Sequence, residues 1–95
     1  MAQALRLRLR IGNILKTPTV VILLFMLEKG EARYSQLADL VGSRGTLSAA
    51  LNELEEDGLI SRRVLDSKPI RTFYSLTAKG RDVASGFMAV KKSTG

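Results

Sequence analysis

Arg62, Arg63, Lys68 and Arg71 fall within ten residues, with Asp66 as the one acid among them. Such a cluster of long cationic side chains is suited to a phosphate-bearing polyanion, because each neutralised phosphate releases condensed counterions. In a second group, Gly45, Ser48, Ala49 and Asn52 sit at spacings that share one side of a helix with Glu53 and Glu56, and Arg44 and Thr46 flank its N-terminus. Asparagine can pair bidentately with adenine and arginine with guanine, while Ser and Thr hydroxyls reach either bases or phosphates. The small residues Gly45 and Ala49 allow close approach to a groove. Ser35 and Gln36, at the start of the helix before it, complete the candidate DNA-binding set.

Other chemistries lack their parts. The 95 residues contain no Cys and no His, which removes the thiolate nucleophile, zinc-finger ligands and the commonest general base. The carboxylates Glu53, Glu55, Glu56 and Asp57 gather at one helix end without a second group opposite them. No phosphate-binding Gly-Lys loop and no nucleophile elbow occurs. The expectation is a binding module, not an enzyme, with no cofactor and no metal.

The elements that must position these residues can be read from period and punctuation. Thr17-Pro18 reads as a hydroxyl cap followed by proline at the first helical position, and the helix it opens runs to about Lys29, with Gly30 as its stop. Val20 to Leu27 is apolar on every side, so this helix is expected to be central. Gly30-Glu31-Ala32 reads as a turn. A short helix is expected from about Ser35, as cap, to Val41, with Leu37, Leu40 and Val41 facing inward. A third runs from about Ser43 to Asp57, with Leu47, Ala50, Leu51 and Leu54 on one stripe; two helices joined through Gly42 have the layout of a helix-turn-helix.

The period then changes. Leu59 to Leu65 and Ile70 to Leu76 read as strands of a hairpin around Asp66-Ser67-Lys68-Pro69. Neighbouring strand residues point to opposite faces, so Arg62 and Arg63 are expected to diverge, and the acids ending the third helix are candidate partners for them. Thr77 caps a last helix from about Ala78 to Lys92, in which Gly86 marks a bend or close packing. In residues 1–16 the alternation of Leu5, Leu7, Leu9 and Ile11 with Arg6, Arg8 and Arg10 suits a strand. Ala4, Leu7, Ile11, Ile14 and Leu15 suit a helix as well, and helix is favoured because an edge strand would need a partner.

The run GSRGTLSAALNELEEDGLISRRVLDSKPIRTFYSLTAKGRDV, Gly42 to Val83, resembles transcriptional regulators of the HxlR type and, more distantly, the MarR and PadR groups. Leu51, Leu54, Gly58, Leu59 and Ile60 match the family's helix-to-wing segment. Tyr74, Ser75, Leu76, Thr77 and Gly80 match the segment that opens its last helix. The likeness covers about residues 17–85. It implies a winged helix-turn-helix, mainly α with a small β-hairpin and flanked by N- and C-terminal helices. One domain over 1–95 would comprise an N-terminal segment 1–16, a winged-helix core 17–76 and a C-terminal helix and tail 77–95.

Two departures narrow that implication. HxlR-type proteins typically carry a cysteine near the N-terminus, absent here, so thiol sensing is not expected. Their third helix usually has longer polar side chains where this sequence has Ala49, Ala50 and Asn52, which weakens base readout.

The resulting expectation is a sequence-specific regulator binding double-stranded DNA as a homodimer. Residues 43–57 would enter the major groove and the wing 59–76 would lie on the backbone or minor groove. An architectural DNA binder of weak sequence preference, or a winged-helix protein-interaction module, is the alternative. Leu5, Leu9, Val20, Leu24, Val83, Phe87, Met88 and Val90 form the candidate dimer interface. The longest apolar run, eight residues, falls far below the roughly 20 a spanning helix needs. A cytoplasmic, nucleoid-associated protein is expected.

The formal charge of +6 is unevenly placed. Residues 61–95 hold eight basic and two acidic side chains, whereas residues 43–60 hold one and four. Affinity for a polyanion should therefore rest on the wing and chain ends.

Overall fold

The computed structural model describes residues 13–94. Its elements are α1 (Pro18–Lys29), β1 (Glu31–Arg33), α2 (Tyr34–Val41), α3 (Arg44–Glu56), β2 (Ile60–Leu65), β3 (Arg71–Leu76) and α4 (Ala78–Thr94). Residues 13–15 are also helical. The expected strand-or-helix segment, with Leu5 and Leu9, otherwise lies outside the described residues. The architecture is the winged helix-turn-helix, mostly helical with a small antiparallel sheet.

α1 begins where Pro18 gives up no hydrogen bond and ends at Gly30, whose N–H donates to the Met26 carbonyl at 2.7 Å and whose φ of 85° then turns the chain out of the helix. The Thr17 hydroxyl does not cap it. It donates instead to the Ile14 carbonyl at 2.7 Å, closing the preceding turn. Ile22, Leu23 and Met26 of α1 enter a core with Leu37 of α2, Leu47, Leu51 and Leu54 of α3, Ile60 and Tyr74 of the sheet, and Ala84 of α4. The central position expected of this all-apolar helix follows from burial on several sides.

Between α1 and α2 the sequence suggests a turn, and the structure has a strand. β1 pairs antiparallel with β3, Ala32 opposite Tyr74, giving a sheet in the order β1-β3-β2. Ala32 is buried, while Glu31 and Arg33 point outward. Three residues are too few to show a period, so only the free edge of β3 makes this segment a strand.

α2 starts one residue earlier than expected and Ser35 is not its cap. Arg33 occupies that position, and its backbone N–H donates to Gln36 Oε1 at 2.9 Å. Leu37 is buried, but Leu40 is exposed and Val41 only half-buried. Leu40 instead lines an open groove with Leu15, Val21, Leu24, Phe25 and Met88.

α3 is capped as its sequence indicates, with Ser43 Oγ accepting from the Thr46 N–H at 3.4 Å. At the start of α4, Thr77 does two jobs. Its hydroxyl accepts from the Gly80 N–H at 3.0 Å and donates to the Gly58 carbonyl at 2.6 Å. That ties the last helix to the turn leading into the wing. The close approach in α4 is at Gly80, which lies against the Leu59 backbone, and not at Gly86, where an added Cβ would meet nothing within 4 Å.

Candidate nucleic-acid interface

The inward stripe of α3, Leu47, Ala50, Leu51 and Leu54, is buried. A helix held on one side presents the other to solvent, and Arg44, Gly45, Thr46, Ser48, Ala49 and Asn52 are all exposed. Thr46 and Ala49 lie on the flank nearest α1, sharing a shallow depression with Thr17, Pro18 and Thr19. Glu53 and Glu56 continue the exposed face toward its C-terminal end, where the helix dipole is also negative. Only the N-terminal half of this face suits an anion.

On the wing, the pleat separates the two adjacent arginines as expected. Arg62 stands opposite Tyr74 and Arg63 opposite Phe73. Arg62 Nε lies 3.6 Å from Glu55 Oε1, so one α3 acid does pair with the wing. Arg63 turns to the other face, where Nη2 donates to both carboxylate oxygens of Glu31 at 3.2 and 3.1 Å and the guanidinium sits 5.0 Å from the Phe73 ring centre. The expected α3 partner of Arg63 is replaced by a residue of β1, because β1 brings Glu31 to the outer face beside it.

Arg44, Lys68 and Arg71 form no ion pair among the described residues. Arg71 lines a cleft of about 380 Å³ with Arg33, Tyr34, Ser35, Pro69, Ile70 and Thr72. The wing and the start of α2 thus place around one opening two arginines, Arg33 and Arg71, that have no ion pair among the described residues. Gln36 is exposed nearby, though its side-chain oxygen is engaged with the Arg33 backbone. Sequence reasoning missed Arg33; its signal was the unrecognised strand that precedes Ser35.

Tyr74 is buried beneath the wing, and desolvation raises its phenol pKa above the ordinary value. Glu55 adds to the rise, while the nearby Arg62 guanidinium opposes it. A raised pKa means that folding favours the neutral phenol. The resulting stabilisation is complete below the unfolded pKa of about 10 and is lost as pH climbs through the folded value. Tyr74→Phe should therefore flatten the alkaline fall in melting temperature, measured across that window.

The profile of the HxlR-like helix-turn-helix family matches residues 14–94. The chain belongs to that family. It is 37% identical over 82 residues to an HTH-type transcriptional regulator of Synechocystis, covering 84% of this chain and 61% of the relative. It is 39% identical over 74 residues to the HTH-type transcriptional regulator YvaP of Bacillus subtilis, covering 76% of this chain and 68% of that one. Among solved structures, a transcriptional regulator of Salmonella typhimurium superposes with a TM-score of 0.69 at 32% identity, over 86% of this chain and 78% of that one. The HxlR-like family and these relatives are transcriptional regulators, not enzymes. No helix among the described residues is long and apolar enough to cross a membrane.

Within this HxlR-like fold the candidate dimer residues divide. Val20 is 4% exposed and shares a small cavity with Leu23, Val83 and Phe87, so it belongs to the interior of the single chain. Val83 and Phe87 pack against the core. Leu24 and Met88 line the open groove, and Val90 is exposed. Leu5 and Leu9 lie outside the described residues.

Proposed function

We propose that this chain is a sequence-specific, double-stranded-DNA-binding transcriptional regulator that acts as a homodimer at the nucleoid in the cytoplasm. α3 enters the major groove with Arg44, Gly45, Thr46, Ser48, Ala49 and Asn52. The wing follows the backbone into the adjacent minor groove. The observation that carries this reading is the exposed, small-residue half of α3, with Arg44 at its start, together with a cleft between the wing and the start of α2 lined by Arg33 and Arg71, neither of which has an ion pair among the described residues. Ser35 and Gln36 lie at the start of α2, the element that crosses the backbone in helix-turn-helix proteins. The open apolar groove of Leu24, Phe25, Leu40 and Met88, with Ile14 and Val90 exposed nearby, supports self-association.

An architectural role is favoured by one feature. Gly45, Ser48 and Ala49 give the exposed face little reach, leaving Asn52 and Arg44 as its principal base-reading side chains. In-vitro selection from random duplexes at two salt concentrations decides between the two. A regulator recovers a palindrome with half-sites about 34–36 Å apart or a multiple of that. An architectural protein gives salt-sensitive binding with no consensus, and absence of binding at low salt sinks both. On the recovered site, Asn52→Ala should relax preference at one base position at a cost of about 1–3 kcal/mol. Equal weakening on every sequence would show that Asn52 does not read bases.

A further inference from the structure

The wing carries apolar surface that phosphate binding does not require. Val64, Leu65 and Ile70 are 52%, 40% and 69% exposed, and all three lie at the end of the ribbon remote from the core. Val64 stands opposite Thr72 and Leu65 opposite Arg71, with Ile70 immediately before β3. The pleat sets Val64 and Thr72 on one face of the ribbon and Leu65 and Arg71 on the other. Single exposed aliphatics are ordinary on a protein surface. Three crowded at one ribbon end, spread over both of its faces, make the tip itself apolar, and exposed apolar surface beyond scattered single residues marks contacts.

The surrounding charge selects the partner. Ile70 lies between Lys68 and Arg71, two cations with no ion pair among the described residues. Arg33 faces it across the cleft that Ile70 helps to line, and the sole acid of the turn is Asp66. An apolar tip ringed by cations complements a surface that is anionic at its rim and apolar within. The minor groove of DNA has that character, with phosphates at its edges and the stacked faces of base pairs accessible at a flexible step. Proteins that insert aliphatic side chains there unstack a step and kink the duplex by about 20–90°.

We infer that the wing end is a minor-groove wedge. Ile70, supported by Val64 and Leu65, enters a base step while Lys68 and Arg71 hold the flanking phosphates, and the duplex bends. The inference rests on the DNA-binding reading above and specifies how the wing engages the duplex. It further predicts preference for TA or CA/TG steps beneath the wing, because these unstack most easily.

The test uses the full chain at low salt and a short duplex with a central TA step. The duplex carries a donor and an acceptor at its ends and a fluorescent adenine analogue at the step. Wild type should raise energy transfer between the ends and brighten the analogue. Ile70→Ser should keep binding and its salt dependence but lose most of both signals, whereas Ile70→Leu should keep them. Thermal melting checks that the serine variant folds, as the exposure of Ile70 leads one to expect. An unchanged bend in Ile70→Ser, or a straight duplex under wild type, overturns the wedge and leaves DNA binding standing. Failure of wild type to bind overturns both. A lower oligomeric mass for free Ile70→Ser would make the wing end a self-contact and likewise overturn the wedge.

Discussion

Replacing Gly80 with alanine is expected to lower the stability of the fold by about 3 kcal/mol, the upper part of the overpacking range. The new Cβ would fall inside the contact distance of the Leu59 carbonyl oxygen, 2.7 Å from its carbon and 3.1 Å from its Cα. These are backbone atoms, so no side chain can rotate away. Leu59 is itself pinned, since its N–H donates to the Leu54 carbonyl at 2.9 Å and its own carbonyl accepts from Thr77 N–H at 3.1 Å. The clash can be relieved only by moving α4 off the α3–β2 turn, which disturbs Ala84 in the core. Gly86→Ala in the same helix supplies the contrast. Its Cβ meets nothing, so the substitution should stabilise by about 0.5–1 kcal/mol through helix propensity and reduced unfolded-state freedom. Urea unfolding of both variants reads the pair, and similar effects of like sign would show that the Gly80 approach is not what holds α4.

The two glycines also show where sequence reading runs out. Both look alike within a helical pattern, and only the tertiary approach of Leu59 distinguishes them. Elements whose ends carry punctuation and whose interiors carry period were legible: Pro18 and Gly30 bound α1, and Ser43 with Leu47, Leu51 and Leu54 fixed α3 and its outward face. The hairpin was legible through its turn residues. β1 was not, because a three-residue strand exists only through β3. That omission spread into the site. Without β1, Glu31 could not be placed beside Arg63, nor Arg33 beside Arg71. Leu40 misled for a related reason: helical spacing from Leu37 tells which flank it occupies, but not that the neighbouring helices leave that flank open. Val20 shows the opposite case: its apolar character suits a dimer interface, but only the packing of Val83 and Phe87 of α4 around it shows that it is buried within the chain.

The largest functional effect is expected from removing the cations that the fold leaves unpaired. Arg33→Ala, Lys68→Ala and Arg71→Ala together take three charges from each protomer, six from the proposed homodimer. At about 0.9 per neutralised phosphate, the slope of log K against log salt should shrink by about five. Single substitutions should each weaken all sequences alike and change that slope by about one for every phosphate no longer neutralised. Arg62→Ala and Arg63→Ala carry the same formal change but should barely alter it. Arg62 is held by Glu55 and Arg63 by Glu31 and the Phe73 ring, so reaching a phosphate would first break those interactions, exposed pairs worth about 0–1 kcal/mol. That small cost makes the distinction a strict one to test. If DNA can outcompete Glu31 and Glu55, all five basic side chains will give equal slopes, and the ion pairs are merely the resting positions of a general basic surface. If the slopes divide, the acids act as a filter. They withdraw two arginines from the phosphate track and concentrate the grip at the wing end and the start of α2, on either side of the cleft. Titrations of the five single variants across a salt series distinguish these outcomes.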